Sequence, residues 1–314
     1  MRTPFGGAQE FLKQLARYIV WNGGEVVHEL DPQVTHIFIL DPRRIETYTF
    51  DLEDIANFKK TFPEVKVIHR MNNCDQKYTA GGGEVAADAL LDDLMLEAAR
   101  LADCTVFISE WLRDYFYERG FDREWSHTVI QNAANDDIFY VKNEQVERPE
   151  TIRLVTHHWS SNWLKGYRVY EEVDRMIADG ELGGFELTVI GRQPHEIEWR
   201  SADVRPPASG EQLANQLREH DIYLTASLWE PGGMHFIEGL QCGLPVVFHE
   251  DGGGIPEVAR IAGAGFRTDV KTALLEARDR YEELKKKVYR DKPSGQRLVY
   301  EFGKLIFGEA NISS

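Results

Sequence analysis

Short apolar runs rich in β-branched residues alternate with longer amphipathic segments along most of the chain. Runs of this length are typical of buried strands, and apolar residues at 3.6-residue spacing are typical of helices. The pattern predicts strands at 24–30, 35–40, 65–69, 104–108, 127–131, 152–156, 185–190, 222–225 and 244–248. It predicts helices at 8–21, 52–61, 84–101, 110–119, 167–178, 210–219, 236–241 and 270–288.

This alternation of strands and helices predicts an α/β fold with parallel sheets. The polar stretch 141–150 has no apolar period and lies midway along the chain, so we place a linker there. The expected domains are 1–148 and 149–314. A tail helix at 295–307 has apolar residues at Leu298, Phe302 and Ile306, and it could pack back on the N-terminal domain.

The start of the chain departs from this pattern. Gly6 and Gly7 precede a helix, as in the first strand–helix turn of a nucleotide-binding domain, but only five residues come before them. Either the first strand is curtailed or missing, or the reading frame begins late.

Charge and cysteine content narrow the function classes. The 52 acidic and 36 basic residues give a net charge of −16, which argues against a general nucleic-acid binder. This charge does not favour attraction to an anionic membrane, although a local patch would allow membrane association. Three cysteines without a C-x-x-C pair make structural zinc improbable and indicate a reducing compartment. With no signal pattern and no 18-residue apolar window, we expect a cytoplasmic protein.

The richest chemistry lies in segment 227–247, which follows a predicted strand and opens a helix. It contains Glu230 and Glu238, eight residues apart, with a glycine-rich turn between them. Glycines let a backbone approach a phosphate, and the amides at a helix N-terminus attract it. A carboxylate beyond the turn can accept hydrogen bonds from a ribose diol, and a second carboxylate can hold another polyol.

This segment resembles the E-x7-E signature of the family 4 retaining glycosyltransferases, which have the GT-B fold of two Rossmann-like domains facing across a cleft. Further stretches resemble other motifs of that family in the expected order: 6–9, 103–110, 129–133, 156–166 and 252–257. Each stretch alone is weak, but the ordered set covers nearly the whole chain.

The resemblance implies roles for individual residues. Glu238 matches the glutamate that holds the nucleotide ribose, and Glu230 matches the one that contacts the transferred sugar. Lys165 matches the lysine that neutralises the donor diphosphate, and His69 matches a histidine that faces the sugar. Gly233, Met234 and His235 would supply backbone amides to the phosphate or sugar, and Gly6 and Gly7 would close over the diphosphate from the other domain.

One departure concerns the diphosphate. The family often has an arginine five residues before the lysine, and Ser160 stands there in this chain. Ser160 and Asn162 can donate hydrogen bonds but carry no charge, and Arg192 is a candidate to compensate.

Other residues have competing interpretations. His157 and His158 are adjacent on a strand and should point to opposite faces, which disfavours a metal site. Arg70 and Asn72 follow His69 at the edge of the sheet where ligands gather. Trp159 and Trp163 are assigned to packing rather than to sugar stacking.

We therefore expect a retaining, hexosyltransferase-like enzyme that needs no cofactor and moves a sugar from a nucleotide-diphosphate sugar to a carbohydrate or glycoconjugate hydroxyl. The chain has no Asp-x-Asp motif, which fits a metal-independent donor site. One alternative is a nucleotide-sugar-binding module without turnover. Another is an NAD(P)-dependent oxidoreductase, since 81–86 formally matches the dinucleotide fingerprint but lacks the preceding strand.

Overall fold

The computed structural model describes residues 7–43, 49–75 and 91–308, and only the backbone of Gly7 and Ala8. Contacts divide the chain into two compact units. The N-terminal unit contains Ala8–Gln131 together with the chain from Arg297 onward, and the C-terminal unit contains Asn132–Gln296. The contacts thus divide the chain after Gln131. The predicted domain boundary at 148 stays a prediction.

The N-terminal unit is built on a parallel four-stranded sheet with the order β1-β2-β3-β4. Its strands are β1 (His36–Ile39), β2 (Lys66–Met71), β3 (Cys104–Phe107) and β4 (His127–Val129). Its helices in the first part of the chain are α1 (Gly7–Trp21), α2 (Leu52–Thr61), α3 (Leu91–Leu101) and α4 (Glu110–Tyr117).

Local sequence signals explain where two of these helices begin. The Asp51 carboxylate accepts from the backbone of Glu53 and Asp54, and the Asp54 side chain accepts from the Asp51 backbone. This capping box satisfies amide groups that have no partner within α2. The Ser109 hydroxyl accepts from Leu112 in the same way at the start of α4.

The tail helix of the chain packs in the N-terminal unit. This helix has the bounds Gly295–Phe307. The ring of Phe302 lies 4.8 Å from that of Phe11 on α1 and 5.8 Å from that of Phe38 on β1. Phe302 is fully buried, so the tail covers part of the apolar core beside the first strand.

The C-terminal unit has a parallel six-stranded sheet with the order β10-β9-β8-β5-β6-β7. Its strands are β5 (Ile152–His158), β6 (Phe185–Gly191), β7 (Asp203–Arg205), β8 (Ile222–Thr225), β9 (Val246–His249) and β10 (Gly263–Phe266). Its helices are α5 (Tyr167–Ala178), α6 (Gly210–Arg218), α7 (Met234–Gln241), α8 (Ile255–Ala259), α9 (Val270–Asp279) and α10 (Tyr281–Asp291). The tail helix Gly295–Phe307, which packs in the N-terminal unit, is α11.

Helices cover both faces of this second sheet. Leu154 on β5 belongs to the apolar cluster with α5 and α9, whereas the adjacent Val155 belongs to the cluster with α6 and α7. A strand buried on both faces needs apolar residues at successive positions, because successive side chains point to opposite faces. This explains the continuous apolar runs of the second half.

Several element predictions were wrong. Residues 24–30 form no strand, and Val26 and Val27 are 39% and 49% exposed. The predicted helix at 270–288 is two helices, α9 and α10, which meet at Arg280. Strands β7 and β10 were missed because Asp203–Arg205 is polar and Gly263–Phe266 is half glycine.

The predicted fold class, α/β with two Rossmann-like parallel-sheet units, is confirmed. The suggestion of a curtailed first strand falls on residues before Gly7, and the dinucleotide-like stretch falls on 81–86. Both lie outside the described residues.

Candidate functional site

The strand order of the C-terminal sheet determines where a ligand can bind. The chain runs outward from β5 through β6 to β7, then returns to the other side of β5 and continues through β8 to β10. The direction therefore reverses between β5 and β8. In open parallel sheets, the crevice beyond the carboxyl ends of two such strands is the usual ligand site. The loop after β5 carries Lys165, and the loop after β8 carries Glu230.

Lys165 is held by a tight turn. Residues Trp163–Lys165 form a single 3₁₀ turn, and the Asn162 side chain caps it by accepting from the Leu164 amide at 2.9 Å. Gly166 follows with φ +93°, and a Cβ there would lie 2.4 Å from the Cβ of Ala226, just after β8. Only glycine therefore lets the two loops approach this closely, which is the physical reason for the Lys-Gly pair.

Lys165 and Glu230 form an ion pair between the two loops, with the ammonium donating to Oε1 of the carboxylate. The side chains are only 23% and 13% exposed. Two oppositely charged groups are thus brought together without a ligand. A polyanionic ligand would compete with the Glu230 carboxylate for the Lys165 ammonium.

The backbone of Glu230 is anchored by the glycine-rich turn at 252–254. Glu230 donates to the Gly252 carbonyl at 3.3 Å, and its own carbonyl accepts from Gly254 at 2.8 Å. Gly253 has φ +72°, and a Cβ there would lie 2.4 Å from the Glu230 carbonyl oxygen. The stretch 252–257, which the sequence matched to a family motif, therefore positions Glu230.

The residue before Glu230 adopts an uncommon backbone conformation. Trp229 has φ 51°, and no other non-glycine residue in the described ranges has a positive φ. A bulky side chain in this region costs about 1–2 kcal/mol. The anchoring hydrogen bonds of the neighbouring Glu230 offset that cost, so the loop geometry is imposed by tertiary contacts.

Glu238 lies on α7 and contacts a residue that sequence reasoning had not assigned to the site. Its Oε2 lies 2.8 Å from Nε2 of His157, near the end of β5. The adjacent His158 has a different partner, since its Nε2 lies 2.9 Å from the Tyr170 hydroxyl on α5. The available signal was position: His157 is next to last on the strand that borders the reversal point.

The N-terminus of α7 lies between the two glutamates in the sequence. Gly233 caps the helix, followed by Met234 and His235. The His235 side chain is buried, with Nε2 2.9 Å from the Thr225 hydroxyl. Burial lowers the pKa of His235 well below its ordinary value, so the ring is neutral at pH 7. The first amides of the helix, rather than an imidazolium, are the groups suited to an anion here.

The remaining predicted donor-site residues lie at the loop ends. Ser160 and Asn162 are exposed, and the Ser160 hydroxyl accepts from the Asn162 amide at 3.2 Å. Arg192 begins the loop after β6; its amide donates to the His158 carbonyl at 3.0 Å, and its carbonyl accepts from the Tyr167 hydroxyl. Its side chain is exposed and bonds to no described residue. It is therefore free to meet a ligand.

His69 lies in the N-terminal unit, within β2, two residues before the end of the strand. It is fully buried, and no described residue hydrogen-bonds to either ring nitrogen. Burial lowers its pKa to about 3, against the opposing effect of Asp41. The ring is therefore neutral at pH 7, with one donor and one acceptor nitrogen that bond to no described residue.

Two further predictions concern the same region. Arg70 is buried, lies 4.3 Å from the centre of the Phe11 ring, and has a pKa lowered to about 9 by burial. It therefore contributes to packing against α1. Gly6 lies outside the described residues, and Gly7 is the first residue of α1.

The described side chains and helices bear on metal binding and on membrane insertion. Within 7–43, 49–75 and 91–308, no group of three or more His, Cys, Asp or Glu side chains is placed to hold a metal ion. Over the same ranges, no helix combines the length and apolar character needed to cross a bilayer.

Comparison with known proteins agrees with this geometry. Residues 204–294, which include both glutamates but not Lys165, match the family model of the glycosyl transferases group 1. No curated protein matches the chain.

Solved structures extend the likeness over the whole chain. Sucrose-phosphate synthase from Thermosynechococcus elongatus superposes with a TM-score of 0.66 at 14% identity, covering 96% of this chain and 93% of that one. The chain has the GT-B fold. WaaG, a glycosyltransferase involved in lipopolysaccharide biosynthesis, gives a TM-score of 0.67 at 12% identity, covering 98% and 97%. Anabaena HepE, solved in complex with UDP, gives 0.59 at 12% identity, covering 81% and 76%.

The resemblance to GT-B glycosyltransferases predicted from the sequence is confirmed by the family match and by these structures. Identities this low show the fold alone. The donor, the acceptor and the stereochemistry depend on the residues of the site.

Proposed function

We propose that this protein transfers a sugar from a nucleotide-diphosphate sugar to a hydroxyl of a carbohydrate or glycoconjugate, with retention of the anomeric configuration and without a metal ion. The observation that carries the proposal is the convergence of Lys165, Glu230 and Glu238 at the reversal point of the C-terminal sheet. These groups match the three parts of such a donor: a diphosphate, a sugar and a ribose.

Lys165 would exchange partners when the donor binds. Its ammonium would leave Glu230 for the diphosphate, where it offsets the charge that develops as the glycosidic bond breaks. The amides of Gly233, Met234 and His235 at the start of α7 would add partial positive charge. This set of donors supplies the role that a divalent ion has in other glycosyltransferases.

Glu230, once released, would accept hydrogen bonds from hydroxyls of the transferred sugar, and Glu238 would accept from the ribose. The diphosphate leaves with the electron pair of the glycosidic bond, and an oxocarbenium-like species forms. The acceptor hydroxyl then attacks from the same face, and a phosphate oxygen takes its proton. His69, whose ring nitrogens bond to no described residue, is proposed to contact the transferred sugar.

The test is a transfer assay with a panel of nucleotide sugars and hydroxyl acceptors, with and without a chelator. We expect nucleotide release that depends on the acceptor and is unchanged by the chelator, and a product whose anomeric proton coupling equals that of the donor. Loss of activity on chelation would refute the metal-free site, and inversion of the coupling would refute retention.

Variants of the two glutamates separate their roles. Glu238→Ala removes the carboxylate proposed for the ribose, so we expect nucleotide affinity to fall by about 10-fold or more. Glu230→Ala should mainly lower kcat, because its hydroxyl contacts are proposed to strengthen in the transition state. If both variants retain the wild-type kinetics, the site assignment is wrong.

A second candidate, a nucleotide-sugar-binding module without turnover, is favoured by one observation. Ser160 stands uncharged where the family often has an arginine, so the diphosphate would have one cation fewer. Tight binding of nucleotide sugars with no release of nucleotide, for any acceptor in the panel, would establish this candidate instead.

A further inference from the structure

We propose that His157 is a positioning residue that orients Glu238 for the ribose diol of the donor nucleotide. This inference rests on the proposed function, since it concerns the same nucleotide. The observation behind it is a chain of three side chains, Tyr223, His157 and Glu238, that runs from the buried core to the edge of the site.

The first contact fixes the carboxylate. His157 Nε2 lies 2.8 Å from Glu238 Oε2, and the His157 side chain is 5% exposed. The Glu238 side chain remains 18% exposed. No described residue donates to its Oε1, which stays available to a ligand, and Oε2 keeps a further lone pair.

The second contact assigns the proton of the imidazole. The Tyr223 hydroxyl oxygen accepts from the His157 amide at 3.1 Å, so the hydroxyl proton must point elsewhere. His157 Nδ1 lies 3.1 Å away and is nearer than the His157 carbonyl, at 3.4 Å. With Nδ1 accepting from Tyr223, a neutral ring carries its proton on Nε2 and donates it to the carboxylate.

The surroundings make this chain rigid. Tyr223 is fully buried on β8, and a Cβ on Gly239 of α7 would lie 2.5 Å from its ring. The strand that carries His157 pairs with β8 at Val155 and Tyr223. Strand, ring and helix are thus packed together, so the carboxylate cannot turn without losing its hydrogen bond. A carboxylate held in advance binds a diol with less loss of side-chain entropy.

A purely structural histidine would have the same burial, so the test must measure coupling to the ribose hydroxyls. We would measure the affinity of the wild type for uridine, guanosine, adenosine and cytidine diphosphates by calorimetry. The tightest is then compared with its 2′,3′-dideoxy analogue. For the wild type, we expect the analogue to bind about 10- to 100-fold more weakly, as expected for lost hydrogen bonds to a charged group.

The decisive variant is His157→Leu. We expect its affinity for the ribonucleotide to fall by about 10-fold, while its affinity for the dideoxy analogue stays unchanged, so that the discrimination collapses. His157→Gln keeps an N–H donor and should retain most of the discrimination. Tyr223→Phe removes only the hydroxyl and should lose part of the discrimination. It provides a second measurement if His157→Leu fails to fold.

The outcomes separate the two proposals. If the wild type binds none of the four ribonucleoside diphosphates, the proposed function fails. Suppose instead that the wild type binds the ribonucleotide more tightly than the dideoxy analogue. If His157→Leu keeps the same ratio of affinities, whether or not both affinities fall, only the role of His157 is refuted.

Discussion

The candidate site residues of the two units differ in how their buried polar groups are paired. In the C-terminal unit, Lys165 is paired with Glu230, and His157 with Glu238. In the N-terminal unit, both ring nitrogens of His69 lie buried without a hydrogen bond to a described residue.

The difference has an energetic meaning. Paired groups are held in position by protein partners that a ligand can replace. A buried polar group without a partner costs about 1–3 kcal/mol, and such a group usually has a functional reason. We infer that the paired groups of the C-terminal unit are preorganised, whereas His69 in the N-terminal unit carries the cost of a buried group that pairs with no described residue.

The largest expected effect comes from breaking the pair in the C-terminal unit. Lys165→Met should lower the transfer rate by about 100- to 1000-fold, because the diphosphate loses its cation. It should also destabilise the fold by about 1–2 kcal/mol, less than for a fully buried pair, because both groups are partly exposed.

The double variant Lys165→Met/Glu230→Gln tests whether the two effects are separate. We expect it to recover the stability, measured by denaturant unfolding, but not the activity. Lys271→Met, which removes an exposed ion pair with Glu181, is the control and should change stability by less than about 0.5 kcal/mol. Full activity in Lys165→Met would contradict the assignment.

A smaller effect on the transfer rate is expected when the support of Glu230 is disturbed. Gly253→Ala introduces a Cβ at φ +72° that would lie 2.4 Å from the Glu230 carbonyl oxygen. We expect a loss of about 2–4 kcal/mol in the free energy of unfolding, from the backbone conformation and the overlap together. A lower kcat should accompany it.

Gly180→Ala is the matched control, because Gly180 has φ +76° and a Cβ there meets nothing within 4 Å. It should lose only the free energy of unfolding that comes from the backbone conformation, about 1–2 kcal/mol, with unchanged kcat. Equal losses in the two variants would show that the contact with Glu230 does not matter.

The smallest effect at pH 7 concerns His69, whose influence on stability appears only as the pH falls. Its pKa is lowered to about 3 in the folded state from an ordinary 6.5. Between these values the unfolded chain binds the proton and the folded chain does not. His69 therefore does not lower the free energy of unfolding above pH 6.5, but that free energy falls as the pH falls from 6.5 toward 3.

In His69→Leu, the free energy of unfolding should fall less steeply as the pH is lowered. At pH 7 it should be equal to that of the wild type or slightly higher, since a polar group without a described partner is removed. Denaturant unfolding at pH values about one unit apart, between pH 4 and 7, measures both the pH dependence and the free energy of unfolding at pH 7. His195→Leu, at a highly exposed position, serves as the reference. A pH dependence in His69→Leu that matches the wild type would contradict the buried, unpaired state.

Local pattern predicted most of the architecture. The helices Leu52–Thr61, Tyr167–Ala178 and Gly295–Phe307 and the strand Ile222–Thr225 have the predicted bounds, because amphipathic period and buried apolar runs are properties of neighbouring residues. Residues 24–30 failed as a strand, because a strand also needs a partner, and no local signal reports one.

The sequence by itself determined which residue types were available for chemistry and in what order: a lysine before a glycine, two glutamates around a glycine turn, and a second turn at 252–254. Only the tertiary structure decided their partners. The reversal of strand order between β5 and β8 brings Lys165 to Glu230 and His157 to Glu238 across 65 and 81 residues of chain. Pairings over such separations depend on sheet topology and backbone clearance, which no local pattern of residues encodes.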